Sequence, residues 1–233
     1  WMLRFLLGWS AWELTTSSLW VGIVGALILG PALILAPYFG IQSDRMNPRY
    51  GLIISMLIHS LIALTGAVAT ICNYYDENML LLLATALGGV TAMHSPMRLA
   101  LVPMLVPRIA LPNAVGLSAM SFNMARILGP ALGAWLIASA GVVWGWAVAI
   151  LMFTLSAALL SLLRDIGTRA STSNSPMKKQ LRAALLYVRA EPMLMLVLSV
   201  TAANGIMGRA LIELLPAISG QLLSGGSAEL AWL

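Results

Sequence analysis

Charge is what this sequence has least of: Asp, Glu, Lys and Arg make up 9% of its 233 residues, against 60% apolar residues. That scarcity excludes an ordinary soluble domain, whose surface takes roughly a quarter of its residues from the charged set. Cysteine is nearly absent as well. The single Cys72 excludes an internal disulfide and has no companions for a metal cluster. There is no phosphate-cradling glycine loop, no pair of histidines flanking a glutamate and no nucleophile elbow. The sequence therefore predicts no catalytic residue, no metal ligand and no cofactor, and points away from an enzyme.

What fills the chain instead is apolar sequence in long runs, with a mean hydropathy of +0.92. A helix needs about 20 apolar residues to cross a bilayer, and the runs between polar junctions approach or exceed that length. They predict helical spans at 1–14, 19–39, 50–72, 79–103, 113–138, 142–163 and 193–223. The fold class is thus an all-α polytopic membrane protein. The first run is short, and the chain opens at Trp1 with neither an initiator Met nor a charged flank. The expectation is a fragment that starts inside a span and stops near Leu233 as an eighth begins.

A net charge of +5 could suggest nucleic acid, but the positions of the cations argue for a membrane. Arg45 and Arg49 fall in one junction, Arg98 and Arg108 in another, and Arg164, Arg169, Lys178, Lys179, Arg182 and Arg189 in a third. The alternate junctions carry Glu13, Asp76 and Glu77 instead. This positive-inside pattern places 40–50, 98–112 and 164–192 in the cytoplasm, with the bacterial inner membrane as the expected location. Trp20, Trp135, Trp144 and Trp146 then fall near outer span ends, as an aromatic belt would.

Three arginines remain inside predicted spans: Arg4, Arg126 and Arg209. A cation at the bilayer centre costs at least ~2.5 kcal/mol, so each needs a watery cavity or a partner and is a candidate for binding substrate or coupling ion. Glu213 lies at i+4 from Arg209, on one helical face, so that pair reads equally as a structural lock. Arg126 has no carboxylate within a turn and must look to another helix or to a substrate. Around it Ala125, Gly129 and Gly133 recur every four residues, a stripe that lets a neighbouring backbone approach, and Pro130 permits a bend. Asn123 shares the neighbourhood. His59 lies within a span and is either a proton relay or a helix-to-helix hydrogen-bonder, whereas His94, followed by Pro96, reads as a junction residue.

Two of these strings carry a resemblance. Gly40, Asp44, Arg45 and Arg49 resemble the signature loop of the major facilitator superfamily, with Asn47 and Pro48 departing from its pattern. Gly116, Ala125, Gly129, Pro130 and Gly133 resemble the fifth-span antiporter motif of its exporter branches, with alanines at 125 and 134 where glycines are usual. The runs NAVGLSAMSFNMARILGPALG and LIELLPAISGQLL look like the branch of bacterial siderophore exporters that includes the enterobactin exporter. The resemblance covers the whole chain as the first half of a twelve-span transporter plus its seventh span.

That resemblance implies a six-helix bundle over 1–164, a cytoplasmic linker with an amphipathic helix over 165–191 and the start of a second bundle over 192–233. It implies a latch in which Asp44 pairs with a loop arginine and meets a helix end of the absent C-terminal half. Asn47 is expected to supply the left-handed backbone of the missing glycine. The implied activity is secondary export of a small amphiphilic molecule, of drug or siderophore type, by alternating access with proton antiport. A lysophospholipid carrier, an uptake permease of the same fold and a non-transporting scaffold stay open as alternatives. The expected partners are the small-molecule substrate, the proton, the lipid bilayer and the missing half, with no nucleic acid.

Overall fold

The computed structural model describes residues 1–164 and 177–213, except the side chains at 177–178, 180–181, 184–185 and 205–213. Eight α-helices are described: α1 (Met2–Thr15), α2 (Ser18–Ser43), α3 (Pro48–Ile71), α4 (Glu77–Leu105), α5 (Leu111–Ala140), α6 (Val142–Leu162), α7 (Met177–Ala190) and α8 (Pro192–Glu213). A single 3-10 turn, Arg108–Ala110, leads into α5. The described residues contain no strand.

The boundaries follow local chemistry. Asn47 caps α3 by accepting a hydrogen bond from the Arg49 amide at 3.0 Å, and Pro48 takes the first helical position, where its missing N–H costs nothing. Asp76 caps α4 through the Met79 amide at 2.8 Å. Asn47 is therefore not the left-handed glycine substitute expected of it: its φ of −67° is ordinary extended backbone. The side chain's capping oxygen, rather than a positive φ, makes this turn.

Helices α2, α3, α4 and α6 are long and apolar enough to cross a membrane. At 30 residues α5 is longer than any of these, but more polar. Two predicted boundaries move. α2 continues to Ser43, so the expected loop 40–50 shrinks to the turn before Pro48. α4 continues to Leu105, so the cytoplasmic loop expected from 98 begins only after that residue, and both His94 and Arg98 belong to a helix. Pro96 lies inside α4 without ending it, because neighbouring helices can support a proline in a membrane helix.

In the core, α2 packs against α4, α3 against α6 and α4, and α1 against α5 and α2. Leu6 and Leu7 of α1, Ile28 of α2, Leu80 of α4 and Trp146 of α6 are fully buried in one cluster. Trp146 thus leaves the expected aromatic belt: its ring lies where a Cβ on Gly66 would sit 2.9 Å away, whereas Trp135 and Trp144 stay exposed. Between α2 and α4 the approach is closest at Gly88, where an added Cβ would come within 2.6 Å of the Ile28 carbonyl oxygen and 2.8 Å of that of Leu27. Backbone cannot give way as a side-chain tip can.

Helix α7 carries Lys179, Arg182 and Arg189 exposed, consistent with a basic surface helix. Ser175 and Pro176, its expected start, fall outside the described residues.

Gly88→Val is expected to destabilise the bundle by ~1–3 kcal/mol or more, the cost of forcing bulk into a packed interior. Gly40→Ala, where a new Cβ meets nothing within 4 Å, should be neutral. Thermal unfolding of the two variants in detergent, side by side, checks both.

Candidate functional site

The polar residues that reach across helices gather on two sides of the bundle. On the first, α5 crosses α1 so closely that a Cβ on Gly129 would lie 2.8 Å from the Trp1 Cβ and 2.9 Å from the Met2 amide nitrogen. A Cβ on Gly133 would meet the Phe5 ring at 2.7 Å. The small-residue stripe thus does what its spacing predicts at these two positions. Ala125 remains exposed, and Gly116 has open space around it. Pro130 lies inside α5, half-buried.

That crossing brings cations and rings together. The Arg4 guanidinium lies over the Trp1 ring at 5.4 Å, Trp1 meets Phe122 edge to face at 5.5 Å, and the Arg98 guanidinium covers Phe122 at 4.8 Å. Arg98 Nη1 also donates to Ser118 Oγ at 2.9 Å. Each ring face offers the cation an electrostatic foothold that costs no buried anion. Arg4 is buried at 9% exposure. Beside Arg98 a cleft of about 500 Å³ opens between α4 and α5, lined by Val102, Leu105, Ser118, Ser121 and Phe122. Arg126 follows Phe122 by four residues and so lies about 6 Å further along α5. It is exposed and makes no hydrogen bond or ion pair among the described residues. Asn123 turns its amide back to the Ala119 carbonyl at 2.9 Å.

Arg98 is the cross-helix contact that sequence reasoning missed. Counting it as a loop cation hid it, because α4 runs on to Leu105 and keeps Arg98 inside the helix.

On the second side, α3 and α4 meet at His59 and His94. His59 is buried at 7% exposure, stacked on Phe153 of α6 at 4.8 Å, with the His94 ring edge-on at 5.8 Å. Its Nδ1 lies 2.7 Å from the Ser55 carbonyl oxygen, and His94 Nδ1 lies 3.1 Å from Ser55 Oγ. The expected lone histidine is one of two.

The turn between α2 and α3 holds the remaining candidates. Asp44 and Arg45 are exposed, and Ser43 Oγ donates to the Gly40 carbonyl at 2.7 Å. The expected pairing of Asp44 with a loop arginine does not extend to Arg49. That guanidinium instead spans to the end of α6, donating from Nε to the Leu160 carbonyl at 3.1 Å and from Nη2 to the Ser161 carbonyl. A cation at the negative end of a helix dipole, bonded to carbonyls the helix leaves open, explains that choice. The side chains of Arg209 and Glu213 lie outside the described residues.

Residues 1–233 match the profile of the transmembrane secretion effector family of the major facilitator superfamily. The chain belongs to that family. It is also 24% identical, over 135 residues, to the staphyloferrin A transporter of Staphylococcus aureus. That alignment takes in 57% of this chain and 34% of the relative, so the chain spans only part of the transporter it matches. No solved structure matches the chain. As a member of the transmembrane secretion effector family it is a multi-pass membrane protein.

For this secretion effector, Arg49→Ala should lower stability by about 1–2 kcal/mol through the loss of charged hydrogen bonds to α6. Arg49→Lys should recover only part of that, because an ammonium lacks the fork that reaches two carbonyls. Thermal unfolding of the full chain in detergent checks the order wild type, Lys, Ala.

Proposed function

We propose that the full protein is a secondary exporter of small amphiphilic anions, of drug or siderophore type, working by alternating access and driven by proton exchange across a bacterial inner membrane. The observation that carries this reading is the group of three arginines, Arg4, Arg98 and Arg126, distributed over α1, α4 and α5 around the Trp1–Phe122 contact. Cations are costly in a bilayer, and several of them gathered beside one apolar cleft are suited to receiving an anion from outside the protein. The apolar walls of the adjacent cleft suit the rest of an amphiphile. The name of the staphyloferrin A transporter, a relative over part of the chain, supports a cargo of siderophore type.

In this reading substrate binds near the midplane between two bundles that rock about it, and 165–191 tethers them. Gly40, Asp44, Arg45 and Arg49 form the cytoplasmic latch. Arg49 anchors the turn to α6, and the exposed Asp44 offers its charge to the second bundle when the cytoplasmic side closes. Charge contacts that form in one state and break in the other make a bistable element. Within the motif of Gly116, Ala125, Gly129, Pro130 and Gly133, the two glycines at 129 and 133 keep α5 tight against α1, which limits leak through the bundle. Arg209 and Glu213 are proposed as an ion pair of the seventh span, and His59 as part of the proton path.

Expressed with its complete reading frame in an efflux-deficient bacterium, the protein should lower retention of some anionic amphiphiles from a panel of dyes, antibiotics and iron chelators. Arg126→Ala at matched membrane expression should abolish that effect, and Arg126→Lys should keep part of it. A wild type that retains every compound as the empty vector does would sink the export reading.

Asp44→Asn should shift the resting population toward the cytoplasm-open state. Spin-label distances between the cytoplasmic ends of the two bundles, measured in nanodiscs, would lengthen relative to wild type. Unchanged distances would remove Asp44 from the latch.

A further inference from the structure

The buried histidine pair is the strongest unexplained polar cluster in the bundle. Ser55 Oγ donates its only hydrogen to the Leu52 carbonyl at 2.8 Å, so toward His94 Nδ1, 3.1 Å away, it can act only as an acceptor. His94 must therefore carry its hydrogen on Nδ1. His59 Nδ1 lies 2.7 Å from the Ser55 carbonyl oxygen, which can only accept, so His59 also carries its hydrogen on Nδ1. One serine thus sets both tautomers from its two polar atoms. In these tautomers both Nε2 atoms are left as acceptors, the atoms at which the pair can take up a proton.

Two neutral rings that each keep a bare Nε2 can take up a proton at either one. Two added protons would not fit. The ring centres are 5.8 Å apart, and two imidazolium charges at that separation in a poorly screened interior repel strongly. We propose that His59 and His94 form one proton-binding site, taking a single proton between them, with Ser55 as the positioning residue and the pair as the coupling site of transport. This rests on the proton-exchange reading above.

The surroundings are consistent with a switchable site rather than a permanently charged one. Among the described residues the charged side chains acting on the pair are Arg4 on α1 and Arg98 on α4, both positive. α6 has no titratable residue at all and supplies the Phe153 ring, while on α3 itself Arg49 and Tyr50 lie at the cytoplasmic end. Among the described residues no carboxylate acts on the rings to hold the proton once it is bound. A carrier must release its proton on the other side, and an ion pair would oppose that release.

Two measurements on the complete chain test this. The first is nitrogen-15 NMR of histidine-labelled protein in bilayers, with the two signals assigned from His59→Gln and His94→Gln. On acidification a single proton should be taken up, shared between the two assigned rings, with the second uptake suppressed. In each single variant the remaining ring should titrate alone at a shifted pH. Two independent full titrations, or none before unfolding, would overturn the shared site. The second compares transport driven by an imposed pH gradient in proteoliposomes with substrate counterflow, which needs no proton. Both single variants and Ser55→Ala should lose the gradient-driven component and keep counterflow, a split that a packing defect would not produce. Gradient-driven transport at the wild-type level in either histidine variant would overturn the coupling role. If wild-type transport ignores the gradient, the proton-exchange reading and the coupling role both fall, while the NMR proton count still decides the shared site.

Discussion

A bilayer offers no water to a polar group, and that constraint sorts every polar side chain in this bundle. Most solve it locally. Thr65, Thr70, Thr85, Thr91, Ser121 and Ser139 each return a hydroxyl hydrogen to the carbonyl four residues back in their own helix. Such residues are silent toward their neighbours, and their presence along a helix says little about function. The exceptions reach across: Arg98 to α5, Arg49 to the end of α6, His94 to Ser55, and Ser60 to Thr154 at 3.0 Å. A cross-helix polar bond in a membrane fixes two helices in register, and the groups that make it cannot be replaced by solvent when the helices move.

The cations show the same logic with larger stakes. Arg4 and Arg98 are joined through Trp1 and Phe122, so that two guanidiniums share a pair of rings. A ring face steadies a guanidinium without neutralising its charge. Arg49 takes the opposite course. Bound to helix-end carbonyls, it is structural, and the mobile charge of its turn falls to Asp44. One short turn therefore divides its arginine-aspartate string into an anchor and a contact, which residue spacing alone does not separate.

Composition and periodicity were enough for the helices, because in a membrane the lengths of apolar runs and the positions of polar breaks answer to one physical quantity, the thickness of the hydrocarbon. They were enough for the tight stripe on α5, because a four-residue spacing of small side chains has one packing use. They misled where a residue's type admits two uses. Asn47 was read for its backbone tolerance and serves through its side-chain oxygen; Trp146 was read as interfacial and is core; Arg98 was read as a topology signal and belongs to a helix interior contact. In each case the choice depended on what stood opposite, and the opposing group came from a distant part of the chain.

By itself the sequence determined the class of molecule and the approximate ends of its described helices, because both are set by local composition against the bilayer. Only the tertiary structure decided which polar residues meet. His59 and His94 are 35 positions apart, as their numbering shows, yet share Ser55, and Arg4 and Arg98 approach one ring pair from opposite ends of the bundle's connectivity. Helix order along the chain leaves those pairings open. Side-chain volumes at Gly88, Gly129 and Gly133 close them, by fixing which backbones come near enough to touch.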